Sequence, residues 1–199
     1  DHRRIGLMGV SKGGVATLNA AIAVRQRWRQ GFPHLFDLHV AICPGATAQH
    51  RDATTHGQPM FFMLAARDDY TPASLAIEYA ERMRSAGNAR IKVKVYGSAH
   101  HGWESIGPVF DIKDAENWSC CRNFIEDDGR HFIPALGEAL SEPDYQAWAR
   151  LHCVTKGARA GGGTPELKRR ATADLLTFLY SAGFAPRWTT PSIRDMLVV

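Results

Sequence analysis

The sequence has no apolar run of the roughly 20 residues that a membrane-crossing helix needs. It has no internal repeat, which argues against a solenoid or a propeller. It has little excess charge: 24 Lys and Arg stand against 20 Asp and Glu, a net +4. The basic residues are scattered, in small clusters such as Lys168-Arg169-Arg170, which describes a solvated surface and not a nucleic-acid footprint. No signal-peptide pattern is visible. Cysteine is sparse, with Cys43, Cys120, Cys121 and Cys153 compatible with either redox compartment. What remains is an ordinary composition in 199 residues, enough for one domain with a sizeable core.

The informative stretch is the first. Arg4-Ile5-Gly6-Leu7-Met8 leads through Gly9-Val10-Ser11-Lys12-Gly13 into an alanine-rich segment of helical character. That is strand, tight turn and helix with a serine at the apex, the setting of a nucleophile elbow. Gly9 and Gly13 are expected to give the turn room, because a Cβ at either would collide with neighbouring backbone. The hydroxyl then stands at a helix N-terminus, where free N–H groups favour developing negative charge. A five-residue Gly/Ser pattern is common by chance, so its meaning depends on an acid and a histidine downstream, in that order.

A helix is predicted from Gly14 to about Arg29, with Val15, Leu18, Ala21, Ile22 and Arg25 at spacings of three and four. Gly31 and Pro33 stop it. Leu38 to Cys43 reads as a short strand closed by Pro44-Gly45, and Ala46 to Gly57 as a polar loop. Met60 to Ala66 is continuously apolar, which suits a strand buried on both faces of a parallel sheet. A helix is predicted from Ala73 to about Ala86 and a strand over Ile91 to Tyr96, wet on its lysine face. Glu104 to Gly163 is an irregular excursion, with one short helix near Asp144 to Leu151. Thr164 as N-cap, Pro165 at the first position and Glu166 in the first turn open a last helix, 164–182. The pattern predicts a single α/β domain: a parallel sheet with flanking helices and a long insert, 104–163.

Two further groups fall at strand ends, where catalytic groups of open α/β sheets collect. Asp68 follows the Met60–Ala66 strand and His101 follows the Ile91–Tyr96 strand. Serine, aspartate and histidine come in the chain order of α/β-hydrolases. A serine hydroxyl needs a base to take its proton, and a neutral histidine suits that task. Asp68 would orient the imidazole, and the Lys12 backbone N–H would supply one oxyanion donor. Tyr70 and Trp103 flank the acid and the base, either as pocket walls or as core packing. Spacing alone does not choose between Asp68 and Asp69, or between His100 and His101.

With these residues together, the chain resembles the dienelactone hydrolase family of α/β-hydrolases. Arg4 to Gly14 looks like that family's elbow strand. Ala65-Ala66-Arg67-Asp68-Asp69-Tyr70-Thr71-Pro72 is similar to its Gly-x-x-Asp-x-x-x-Pro motif, with alanine for glycine at 65. Tyr96-Gly97-Ser98-Ala99-His100-His101-Gly102-Trp103 is similar to its Tyr-x-x-Ala-x-His-Gly-Phe motif. The resemblance implies Ser11, Asp68 and His101 as the triad, an ester as small-molecule substrate, and no metal, cofactor, nucleic acid or membrane partner. Serine in place of the name-giving enzymes' cysteine implies the wider, esterase-like branch. A peptidase or acyltransferase on the same fold, or a non-catalytic binding subunit, are the alternatives.

Residues 104–163 resemble an insert of exported bacterial relatives that carries paired cysteines. This implies a Cys121–Cys153 disulfide and a periplasmic or secreted protein. Free thiols, Cys120 as partner, and a cytoplasmic location are the alternatives. Cys120, Cys121, His152 and Cys153 lack a usual zinc-finger spacing. The family fold also has strands before the elbow strand, and a loop there that donates the second oxyanion N–H. A preceding segment or a second chain is therefore expected to complete the sheet.

Overall fold

The computed structural model describes residues 4–26 and 35–184. Its main sheet has four parallel strands: β1 (Gly6–Val10), β2 (Leu38–Ile42), β4 (Met60–Ala65) and β5 (Ile91–Tyr96), in the order β1-β2-β4-β5. Between β2 and β4 runs a short strand, β3 (Ala48–His50), that belongs to another sheet. The helices are α1 (Lys12–Ala21), α2 (Ala23–Gln26) and α3 (Ala73–Ser85), followed after the insert by α5 (Pro165–Ser181).

The unbroken apolar run of β4 is explained by its two faces. Met60, Phe62 and Leu64 pack with Leu18 of α1 and Ala76, Tyr79 and Met83 of α3. Phe61 and Met63 pack with Leu167, Ala171 and Phe178 of α5 on the other side. All six residues of β4 are buried, and each large side chain contributes about 1.5–3 kcal/mol by leaving water. At α5, Thr164 Oγ1 accepts the Leu167 N–H at 3.1 Å, so the cap expected from the sequence starts the helix. At its far end Gly183 adopts φ +76°.

Three expectations are corrected. The first helix does not run on past Ala21: Ile22 is extended, fully buried, and bridged to Thr55. The Ala23 N–H donates to Thr54 O, and the His56 N–H to Ala21 O. This tertiary pairing outweighs the helical period. The stop expected at Gly31 and Pro33 lies outside the described residues. The 46–57 loop contains β3, whose ladder partner comes from the insert.

Third, the insert is ordered. It holds β6 (Val109–Asp111), β7 (Glu116–Asn117), β8 (Asn123–Ile125), β9 (His131–Ile133), β10 (Glu138–Leu140), α4 (Glu142–His152), β11 (Thr155–Lys156) and β12 (Arg159–Gly161). Strands β3, β8, β9 and β10 form one sheet, while β6 pairs with β12 and β7 with β11. Strands this short carry little periodicity of their own and exist by pairing. A disulfide joins Cys121 to Cys153 across 32 positions, within a small core of Ile133, Tyr145 and Ala149. No helix among the described residues is long and apolar enough to cross a membrane.

Strand β3 is tied down through His50. Its N–H donates to the Tyr79 hydroxyl at 3.0 Å, and its Nε2 accepts from Arg25 Nε at 2.8 Å. Burial, then Arg25 and His131, push this imidazole down from 6.5 to about 4. Between those values the unfolded chain binds a proton that the native chain refuses, so stability rises with pH there. Thermal unfolding followed by circular dichroism is expected to show a midpoint that falls as pH is lowered from 6.5 towards 4. The fall should be smaller in His50→Gln.

Candidate active site

The apex serine sits where β1 becomes α1, with φ 54° and ψ −117°. Such a backbone is strained for a non-glycine residue and holds the side chain up from the strand end. The Ser11 N–H donates to Ile42 O at 2.9 Å, which ties the apex to the end of β2. A Cβ on Gly9 would lie 2.1 Å from Gly13 O, so glycine is required there. The expectation for Gly13 is corrected: outside its own helix, a Cβ there would meet nothing within 4 Å. The tight contact is one residue on, where a Cβ on Gly14 would stand 3.1 Å from Ile42 O and from Pro44. Gly14 lets α1 pack closely on β2.

The loops after β4 and β5 meet this apex. Nε2 of His101 lies 3.0 Å from Ser11 Oγ, and Nδ1 lies 2.9 Å from Asp68 Oδ2. An ionised carboxylate can only accept, so Nδ1 carries the ring proton and Nε2 is free to accept from the hydroxyl. Both Asp68 and His101 are buried. Burial alone would raise the Asp68 carboxyl. Hydrogen bonds from His101, from the Thr71 backbone and from the Thr71 hydroxyl outweigh it and hold the group below its ordinary value. The two loops also bind each other, since the Arg67 N–H donates to Ala99 O at 2.9 Å.

Neither neighbouring alternative enters this line of contacts. Asp69 turns to the insert: its carboxylate accepts the Arg159 N–H at 2.9 Å and Arg159 Nε at 3.2 Å. Asn117 Nδ2 donates to Asp69 O at 3.0 Å. His100 is buried beside His101, and its Nδ1 has no hydrogen-bond partner among the described residues. It is His101 that carries the contacts to serine and aspartate.

Beside Ser11 opens a cavity of about 430 Å³ walled by Val10, Val15, Tyr70 and Trp118. Tyr70 stands edge-on to the His101 ring, centroids 5.0 Å apart. Trp103 lies in the core instead, 2% exposed, against Tyr96, with its indole N–H donating to Cys43 Sγ at 3.2 Å. The second aromatic wall is thus Trp118, from the insert, which sequence reading missed. Its only sequence signal is three positions of separation from Cys121. Lys12 opens α1, so its N–H has no acceptor one turn back in the helix.

Cys43, Asp68 and His101 present ligand atoms within 4.8 Å of one another, the one such group of three among the described residues. The carboxylate and imidazole already hold each other. Burial, then the nearby Asp68 charge, push the thiol far above its ordinary value, away from the thiolate that a metal takes. The paired Cys121 and Cys153 are not free to bind one either.

No protein-family model matches the sequence, and no curated protein does. Among solved structures, a proposed dienelactone hydrolase from Klebsiella pneumoniae subsp. pneumoniae is similar at a TM-score of 0.41 and 19% identity, over 52% of this chain and 43% of that one. An α/β-hydrolase enzyme from a Medee basin deep-sea metagenome library gives 0.41 and 20%, over 52% and 42%. An esterase from Thermogutta terrifontis gives 0.40 and 18%, over 53% and 48%. The chain spans less than half the length of each. Likeness at this level leaves the chemistry to be read from the chain's own geometry. A parallel sheet in the order β1-β2-β4-β5, helices on both faces and a strand–serine–helix elbow make a partial α/β-hydrolase fold.

The insert wall depends on its crosslink. A Cys121→Ser, Cys153→Ser double variant is expected to lose about 2–4 kcal/mol of stability. The fall in the denaturant midpoint measures it.

Proposed function

We propose that this protein is a serine hydrolase that cleaves carboxylic esters through an acyl-enzyme. The observation that carries the reading is the unbroken chain Ser11 Oγ, His101 and Asp68, at 3.0 and 2.9 Å, standing on an elbow. In this reading His101 Nε2 takes the serine proton as Ser11 attacks the ester carbonyl, then gives it to the leaving alcohol. Asp68 keeps the proton on Nδ1 and stabilises the imidazolium. The Lys12 N–H faces the developing oxyanion, a donor typically worth about 3 kcal/mol. Water, activated by the same histidine, then releases the acid. These three side chains suffice for the reaction, so no metal or cofactor is invoked.

The apolar cavity supports a small ester with a hydrophobic portion as substrate. Trp118 lines it and so bears on what fits. The Cys121–Cys153 disulfide favours an oxidising compartment, periplasmic or extracellular. On the same reading, further strands from a preceding segment or a second chain pair along the outer edge of β1. Among the described residues β1 ends the sheet order, an unpaired edge is a pairing template, and Ile5 and Met8 beside it are 54% and 57% exposed.

Hydrolysis of p-nitrophenyl esters and labelling by a fluorophosphonate test the reading. Ser11→Ala should abolish both, and labelling that survives in it would overturn the assignment. Asp68→Asn should lower kcat by about 10⁴-fold, while Asp69→Asn should stay near wild type. Trp118→Ala should raise the kcat/KM ratio of long-chain to short-chain esters.

A further inference from the structure

One side chain touches both members of the acid–base pair and has no role in the chemistry above. Thr71 lies three residues after Asp68, just before the Pro72 that caps α3. Its hydroxyl oxygen is 2.7 Å from Asp68 Oδ2, 3.0 Å from His101 Nδ1 and 3.1 Å from Cys43 O. Its backbone N–H donates to the other carboxylate oxygen, Oδ1, at 2.7 Å, beside the Tyr70 N–H at 3.0 Å. Asp68 therefore accepts four hydrogen bonds, two of them from Thr71.

A hydroxyl has one proton and two lone pairs, so it cannot donate to Asp68 and to Cys43 O at once. The carboxylate is the nearer and the charged acceptor, and charge-assisted bonds are the stronger. With the proton aimed at Oδ2, a lone pair of the same oxygen faces the Nδ1–H of His101. That N–H is then shared between Thr71 Oγ1 and Asp68 Oδ2. As His101 takes up the serine proton, its new charge is met by both oxygens. The carbonyl of Cys43, at 3.1 Å, is the competing acceptor and receives the proton only when the hydroxyl turns away from Asp68. Cys43 itself is held at φ 43° at the end of β2, with its N–H on Met63 O.

We infer that Thr71 is a positioning residue of the Ser11–His101–Asp68 relay, its one hydroxyl holding the carboxylate and the imidazole in register. The inference rests on the hydrolase reading of this site and adds a fourth residue to it. The hydrogen bonds from Thr71 are also among the causes that hold the Asp68 carboxyl low. The titratable groups around Asp68 include His101, the Cys43 thiol and Tyr70, with Glu104 acting on Cys43 and Asp69 turned away to Arg159.

Thr71→Val removes the hydroxyl at nearly constant shape, and Thr71→Ser keeps it. On p-nitrophenyl acetate, Thr71→Val is expected to lower kcat roughly 10–100-fold, with KM unchanged. Thr71→Ser is expected to restore most of the rate. Carbon NMR titration of the Asp68 carboxyl should move to higher pH in Thr71→Val and return in Thr71→Ser. Wild-type kcat in Thr71→Val would overturn the inference. So would a loss that Thr71→Ser fails to recover while the Asp68 titration stays in place, because that pattern marks a packing role. The titration is read whether or not the wild-type chain hydrolyses the ester. An inactive, unlabelled wild type therefore overturns the hydrolase reading, and an unmoved titration overturns this one.

Discussion

A buried carboxylate is expensive, and the architecture of this site follows from keeping that of Asp68 ionised. A charge out of water must be met by donors in place before it is needed. Asp68 is met by two backbone N–H groups of its own turn, by the Thr71 hydroxyl and by His101. The turn must close on itself to supply the first two, which sets its shape after β4. The histidine must arrive from the end of β5, which sets the path of the next loop. The serine needs only to stand at the end of β1 for the line to be complete, and the elbow puts it there.

The insert is the second support. It reaches the acid turn through Arg159 and Asn117, both on Asp69. It reaches the histidine loop through the Gly161 N–H, which donates to His101 O at 2.7 Å. It supplies Trp118 to the cavity beside Ser11. A segment between β5 and α5 thus holds the chain at Asp69, next to Asp68, and at His101. Its own hydrophobic core is small, and the Cys121–Cys153 crosslink supplements what so few buried side chains can hold.

Local chemistry made much of this legible in advance. The apolar run of β4 is long enough to show that both its faces are covered. The Thr164-Pro165-Glu166 start of α5 names its own cap. Gly-x-Ser-x-Gly after a strand announces an elbow, and Asp68 and His101 come at later strand ends in order. The misses share one cause. Strand β3 and the strands of the insert are two or three residues long, and only a partner elsewhere in the chain makes them strands. The first helix breaks at Ile22 because residues 54–56 compete for its backbone. The close approach at α1 falls on Gly14 and not Gly13, since it depends on where β2 lies beneath the helix.

What the sequence by itself determined is the set of reactive groups and the strand ends that carry them, because strand, turn and helix signals are local and additive. What only the tertiary structure decided is which neighbour comes into contact with the serine line. Asp68 and Asp69, and likewise His100 and His101, are adjacent and chemically alike. Asp68 meets a histidine and Asp69 meets an arginine because the turn points successive side chains in different directions. Trp118 rather than Trp103 walls the cavity, and Thr71 reaches three loops at once, for the same reason. Such contacts depend on where distant backbone segments come to rest, which no stretch of the chain records alone.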